Sequence, residues 1–158
     1  MIISTMTWAP YVVSADNSID EALKLAKPKS GELIYDLGCG DCRILIQSAK
    51  KYGTKGLGYD ISPFCYLKSK FKIGINHLAK TVDIKHESLF SANLSQPDII
   101  FLYTGTQLMD SLEDKIFSQM KPTARVVSLA FSFKDHKPIE TKIVRQLGKE
   151  TQVFLYKK

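Results

Sequence analysis

From residue 33 to residue 133 the chain alternates short apolar runs with helix-like stretches, and this alternation limits its possible folds more than any other feature. Leu33-Ile-Tyr-Asp-Leu37 reads as a buried strand that ends at glycines. Over 41–52, Ile44, Leu45, Ala49 and Tyr52 recur at roughly helical spacing. A second strand is expected at 55–60. Ser62-Pro63 is an N-cap followed by proline at the first helical position, so a helix should run to about Asn76. A third strand is expected at 81–86. The fourth, Asp98-Ile-Ile-Phe-Leu-Tyr103, is nearly continuous apolar, as a central parallel strand should be. A helix over 107–120 ends at Lys121-Pro122, and 125–133 forms the fifth strand. After Pro138 the pattern changes, with strand-like 142–145 and 152–156 joined by a turn at Gly148. At the front, Ser18-Ile-Asp-Glu21 reads as a capping box opening a short helix to Lys27. The expected class is α/β: a mostly parallel sheet, helices on both faces and a terminal antiparallel hairpin.

A chain of 158 residues without repeats, low-complexity stretches or linkers fits one domain. Residues 1–30 would be an N-terminal segment with its capping helix, and 31–158 the core. No apolar stretch is long enough to span a bilayer. The N-terminus has neither a basic region nor a small-residue cleavage site, and three cysteines argue against a disulfide framework. A cytoplasmic location is expected. The net charge of +6 is spread along the chain, with no run of five like charges. Solvated lysine-rich helix faces explain it better than a nucleic-acid footprint.

Residues 36–43, Asp-Leu-Gly-Cys-Gly-Asp-Cys-Arg, can be read two ways. Cys39 and Cys42 have the spacing of a redox pair or half a zinc site. Zinc requires four ligands, and Cys65, His77, His86 and His136 supply no second tight pair. The redox reading leaves Asp36, Gly38 and Asp60 without a purpose. Gly38 and Gly40 instead form a turn at the carboxyl end of the first strand, where open parallel sheets bind ligands. Asp60 ends the second strand 20 positions after Gly40, the spacing at which a carboxylate takes ribose hydroxyls. The glycine reading is preferred.

Asp36-Leu-Gly-Cys-Gly-Asp-Cys-Arg43 resembles motif I, D-x-G-x-G-x-G, of class I S-adenosylmethionine-dependent methyltransferases. Ala9-Pro-Tyr-Val-Val13, Gly58-Tyr-Asp-Ile-Ser-Pro63, Phe101-Leu-Tyr103 with Leu112-Glu-Asp-Lys115, and Ala124-Arg-Val-Val-Ser128 extend the likeness. Together they resemble one subfamily, the small archaeal protein-lysine methyltransferases and the mitochondrial ATP synthase c-subunit lysine methyltransferase. The resemblance implies a Rossmann-like fold with a seven-stranded sheet and S-adenosylmethionine as cofactor. It assigns Asp36, Gly38, Cys39, Gly40, Asp60, Ile61, Ser88, Leu89 and Tyr103 to that cofactor. Tyr103 would lie beside the cofactor and is the catalytic candidate. The sequence departs from the subfamily at Cys42 in place of the third glycine and at Ser88 in place of an adenine-facing Asp or Asn. Val13-Ser14-Ala15 replaces a proline-rich entry, and Thr106 replaces a proline.

The implied partner is a protein with an accessible lysine, acted on by a monomeric enzyme. A lysine must lose its proton before it can attack, and a partly desolvated aromatic channel lowers its pKa. Trp8, Pro10 and Tyr11 with Tyr103 are the candidates for that channel, Trp8 and Tyr11 serving better as a lid. Phe131 and Phe133 read as core, and His86 and His136 as surface or strand-end residues. The sequence Tyr103-Thr-Gly-Thr106 lacks the Asn/Asp-Pro-Pro-Tyr/Phe of base amino-methyltransferases. An RNA or small-molecule methyltransferase, or a non-catalytic cofactor-binding module, are the competing readings. No metal is expected.

Overall fold

The computed structural model describes residues 16–158. Its elements are α1 (Asp16–Ala26), β1 (Leu33–Leu37), α2 (Arg43–Tyr52), β2 (Lys55–Tyr59), α3 (Pro63–Ile75) and β3 (Val82–Lys85). After a 3₁₀ turn at Leu89–Ser91 come β4 (Ile99–Leu102), α4 (Thr106–Gln119), β5 (Arg125–Leu129), β6 (Glu140–Gln146) and β7 (Lys149–Lys157). The strands form one seven-stranded sheet in the order β3-β2-β1-β4-β5-β7-β6. Pairing is parallel from β3 to β5, while β7 runs antiparallel to both β5 and β6.

The all-buried β4 explains the architecture. Ile99, Ile100, Phe101 and Leu102 alternate between two apolar clusters, one on each face of the sheet. On one face, Ile99 and Phe101 pack with Leu23 of α1, Leu45 of α2 and Ile73 of α3. On the other, Ile100 and Leu102 pack with Met109, Leu112 and Ile116 of α4. A strand apolar at every position demands cover on both sides, and the helices supply it. Helix α3 opens as read, with the Ser62 hydroxyl accepting from the Cys65 amide at 3.4 Å. It is apolar on two sides: Cys65 and Ile73 face inward, while Phe64, Leu67, Phe71 and Ile75 are exposed.

Most element ends fall within a residue or two of the sequence reading, and the larger differences are at α1, β5 and the terminal hairpin. Helix α1 begins before Ser18, so the capping box does not form. Ser18 is instead fully buried, donating to the Arg145 carbonyl of β6 at 3.0 Å, and Glu21 pairs with Lys24 and Lys142. Strand β5 stops at Leu129 rather than Phe133, because Ala130 takes φ 71 and turns the chain away. The terminal hairpin is longer than read and closes tightly, with Gln146 opposite Lys149. Leu147 (φ 49) and Gly148 (φ 79) make the left-handed pair that a two-residue hairpin turn requires. No helix among the described residues is long and apolar enough to cross a membrane.

Candidate active site

The strand order reverses between β1 and β4, so a crevice opens beyond their carboxyl ends. One wall is the loop 38–42. Gly38 (φ 87) and Gly40 (φ 54) occupy left-handed conformations, and so does Cys42 (φ 55) at the helix N-cap. A left-handed non-glycine residue costs about 1–2 kcal/mol, so the surroundings hold Cys42 there. The amides of Gly38 and Cys39 both donate to the Tyr59 carbonyl, at 2.9 and 3.1 Å, and Cys42 N donates to Cys39 O at 2.9 Å. Asp60 supports the same loop: one carboxylate oxygen accepts from Gly40 N at 2.9 Å and the other from Ser62 N at 2.8 Å.

The two cysteines are accommodated by a glycine across the sheet. Their sulfurs lie 3.3 Å apart, and a Cβ at Gly58 would sit 2.5 Å from the Cys39 sulfur and 3.0 Å from that of Cys42. Gly58 on β2 thus provides the room that a side chain at the third-glycine position needs. Both cysteines are buried, and no disulfide joins them. Burial, reinforced by the hydrogen bond from Cys42, raises the Cys39 thiol well above its ordinary range.

Asp36, at the end of β1, is buried, and burial together with the charges of Asp60 and Asp41 raises its carboxyl to about 8. Asp41 itself is tied to Arg43 at 3.3 Å and to Lys72. Facing the loop from the segment after β4 is Thr104, only 4 % exposed, whose hydroxyl has no hydrogen-bond partner among the described residues. A Cβ at Gly38 would approach the Thr104 methyl to 3.3 Å and Leu89 to 3.9 Å, so glycine keeps this gap open. The sequence reading missed Thr104. Ile61 is exposed beyond Asp60, with His86 Nε2 2.9 Å from its carbonyl and the His86 ring stacked on Tyr66. Ser88 caps the 3₁₀ turn, accepting from Phe90 N at 3.3 Å, which puts Ser88 and Leu89 at the neighbouring end of β3.

The other wall is aromatic. Tyr103 follows β4, and its ring centroid is 6.5 Å from that of Phe131. The turn at Ala130 brings Phe131 there, so Phe131 lies beyond the strand, half-buried beside Tyr103 and packed against the core cluster. Phe133 is core, packed edge-on against Phe117 and Tyr156 at 5.2 and 4.9 Å. Glu113 fixes the segment that follows, accepting from the amides of Lys134, Asp135 and His136. Burial pushes the Glu113 carboxyl up, but the His136 ring and these amides outweigh it and hold it below the usual range. His136 also stacks on Phe117 at 3.6 Å, so its role is to pack this segment. Gln146 closes the wall from β6, its amide nitrogen donating to the Tyr103 hydroxyl at 2.9 Å. Trp8, Pro10 and Tyr11 lie outside the described residues. Among those described, no group of three His, Cys, Asp or Glu side chains could hold a metal ion.

A family profile described as the ANTKMT methyltransferase domain matches residues 36–140. A protein-lysine N-methyltransferase from Saccharolobus islandicus is 28% identical over 155 residues, covering 98% of this chain and 96% of that protein. The ATP synthase c-subunit lysine N-methyltransferase of Xenopus laevis is 27% identical over 132 residues. That match takes in 82% of this chain but only 56% of the frog protein. Among solved structures, an RNA methyltransferase from Salinibacter ruber in complex with S-adenosyl-L-homocysteine superposes with a TM-score of 0.85. It is 28% identical, over 92% of this chain and 93% of that one.

Proposed function

This chain belongs to the ANTKMT methyltransferase domain family and is an S-adenosylmethionine-dependent methyltransferase; from that premise we propose that it methylates the side-chain amine of a protein lysine. When bound, S-adenosylmethionine supplies a methyl group on a positively charged sulfur. The residues of the crevice suit such a ligand. Each Asp60 oxygen accepts one main-chain bond and keeps a lone pair for a ribose hydroxyl. Asp36 would neutralise positive charge, and the unpartnered hydroxyl of Thr104 offers a polar contact over Gly38. Ile61, Ser88 and Leu89 would flank the adenosine, with Cys39 as a small residue under the loop.

The observation that carries the lysine reading is the aromatic wall. Tyr103 and Phe131 offer apolar surface and a phenol oxygen, in which a long aliphatic amine sheds water and loses its proton more readily. Tyr103 would hold that amine, and Trp8, Pro10 and Tyr11 would complete the channel. The similarity to the archaeal lysine methyltransferase over nearly the whole of both chains supports the same substrate class. The proposed enzyme is a cytoplasmic, single-domain monomer, which light scattering tests against the chain mass of 17.8 kDa. Cell fractionation tests the location.

A second reading, an RNA acceptor, is favoured by the net charge of +6 and by the description of the Salinibacter ruber structure. Incubation with methyl-labelled S-adenosylmethionine and cell extract separates the two. Label on lysine side chains is expected; label confined to RNA or small metabolites would overturn the proposal.

A further inference from the structure

We propose that Gln146 is a recognition residue for the acceptor amine, acting beside Tyr103, and that it limits how many methyl groups the amine receives. The inference rests on the lysine reading above. Gln146 ends β6, which runs antiparallel to β7 and therefore in the same direction as β5. Its end of the strand thus lies on the same side of the sheet as the carboxyl ends of β1 and β4. Val144 and Gln146 both point inward, while Arg145 between them is exposed.

Gln146 is only 7 % exposed, yet its bonding is half complete. The amide nitrogen donates to the Tyr103 hydroxyl at 2.9 Å, and the carbonyl Oε1 is buried with no partner among the described residues. A buried acceptor without a donor costs about 1–3 kcal/mol, and a leucine at an inward position beside Val144 would avoid that cost. Because the two ends of an amide are only about 2.3 Å apart, Oε1 lies within about 5 Å of the phenol oxygen. The pair therefore presents two acceptors side by side: Oε1 and the free lone pair of Tyr103.

A neutral primary amine has two N–H donors and one lone pair. Two acceptors holding the two N–H groups leave the lone pair free to form the N–C bond. In each round the nitrogen gains one methyl and gives one proton to water, so each round removes one N–H donor. The unmethylated amine satisfies both oxygens, the monomethyl amine satisfies one, and the dimethyl amine neither. Gln146 thus favours the first transfer over the last.

The test compares wild type, Gln146→Leu and Gln146→Glu, each incubated with cofactor and extract proteins, with lysine methylation states read by mass spectrometry. S-adenosylhomocysteine affinity, measured by calorimetry, checks that each variant is folded. In Gln146→Leu the ratio of trimethyl to monomethyl product should rise about tenfold, corresponding to one lost hydrogen bond. Gln146→Glu keeps an acceptor and adds a charge that holds the ammonium form, so its kcat/KM profile should move to higher pH. Unchanged product ratios together with an unchanged pH profile overturn the role of Gln146 while leaving the lysine reading standing. If wild type labels no lysine, that reading falls and this inference falls with it. Should Gln146→Leu fail to bind S-adenosylhomocysteine, the pH profile of Gln146→Glu decides alone.

Discussion

The two walls of the crevice are built in different ways. The β1–β2 wall is made by the main chain: left-handed turns at Gly38 and Gly40, amides anchored on Tyr59, and a carboxylate that braces the loop. Every part of it lies within 25 residues of sequence, from Asp36 to Asp60. The β4–β6 wall is made by side chains from distant segments, with Tyr103 meeting Gln146 43 positions later and Phe131 arriving through a strained turn. A main-chain wall suits a ligand common to many enzymes, because it leaves few side chains to vary. A side-chain wall suits an acceptor that differs between them. The two walls should therefore fail separately.

The largest effect is expected at Asp60. Asp60→Ala removes the proposed ribose acceptor and leaves the Gly40 and Ser62 amides unanswered, so S-adenosylhomocysteine affinity should fall about 100-fold by calorimetry. A change within threefold would break the distinction between the walls. Next comes Gly58→Ala, which forces a methyl to 2.5 Å from the Cys39 sulfur. Overpacking should destabilise the fold by about 1–3 kcal/mol in urea titration, and adding Cys39→Ala should recover part of it. An unaffected midpoint would mean that the sulfurs move freely. Tyr103→Phe should then lower kcat/KM about tenfold while S-adenosylhomocysteine affinity stays within twofold. Equal losses in both would merge the two walls into one.

The smallest effect concerns protons. Asp36 titrates at about 8 when folded against an ordinary 3.8. The folded state thus holds a proton that the unfolded state has released, and stability falls as pH rises from about 4 to about 8. A cation bound beside Asp36 should restore its carboxylate. Cofactor binding at neutral pH should then release a proton, an effect that fades as pH rises past the folded-state value, as read from binding enthalpies in two buffers. No buffer dependence would place the positive charge elsewhere.

The legibility of the sequence follows the same division. The loop glycines, Asp60, the α3 cap and the two-faced cover of β4 could all be read, because each depends on local conformation or continuous apolarity. Thr104 and Gln146 could not, since their significance is an unsatisfied buried polar atom that exists only after distant strands pair. One signal was available: if β6 is extended to Gln146, a glutamine falls on the inward face beside Val144. The Ser18 box misled because its residues match a cap pattern, while tertiary packing commits the hydroxyl to Arg145 of β6. Similarly, alternation through Phe133 suggested a long β5, but the left-handed Ala130 ends the strand and redirects Phe131 to the site.

On the proposed function, one crevice holds the cofactor on its β1–β2 side and a lysine amine on its β4–β6 side. A crystal structure with S-adenosylhomocysteine bound tests it most directly, through the opening beside the ligand's sulfur. A narrow opening walled by Tyr103 and Phe131 is expected, with the Gln146 carbonyl facing it and room for an alkyl amine. An opening broad enough for a flat nucleobase, or a sulfur turned away from Tyr103, would contradict it.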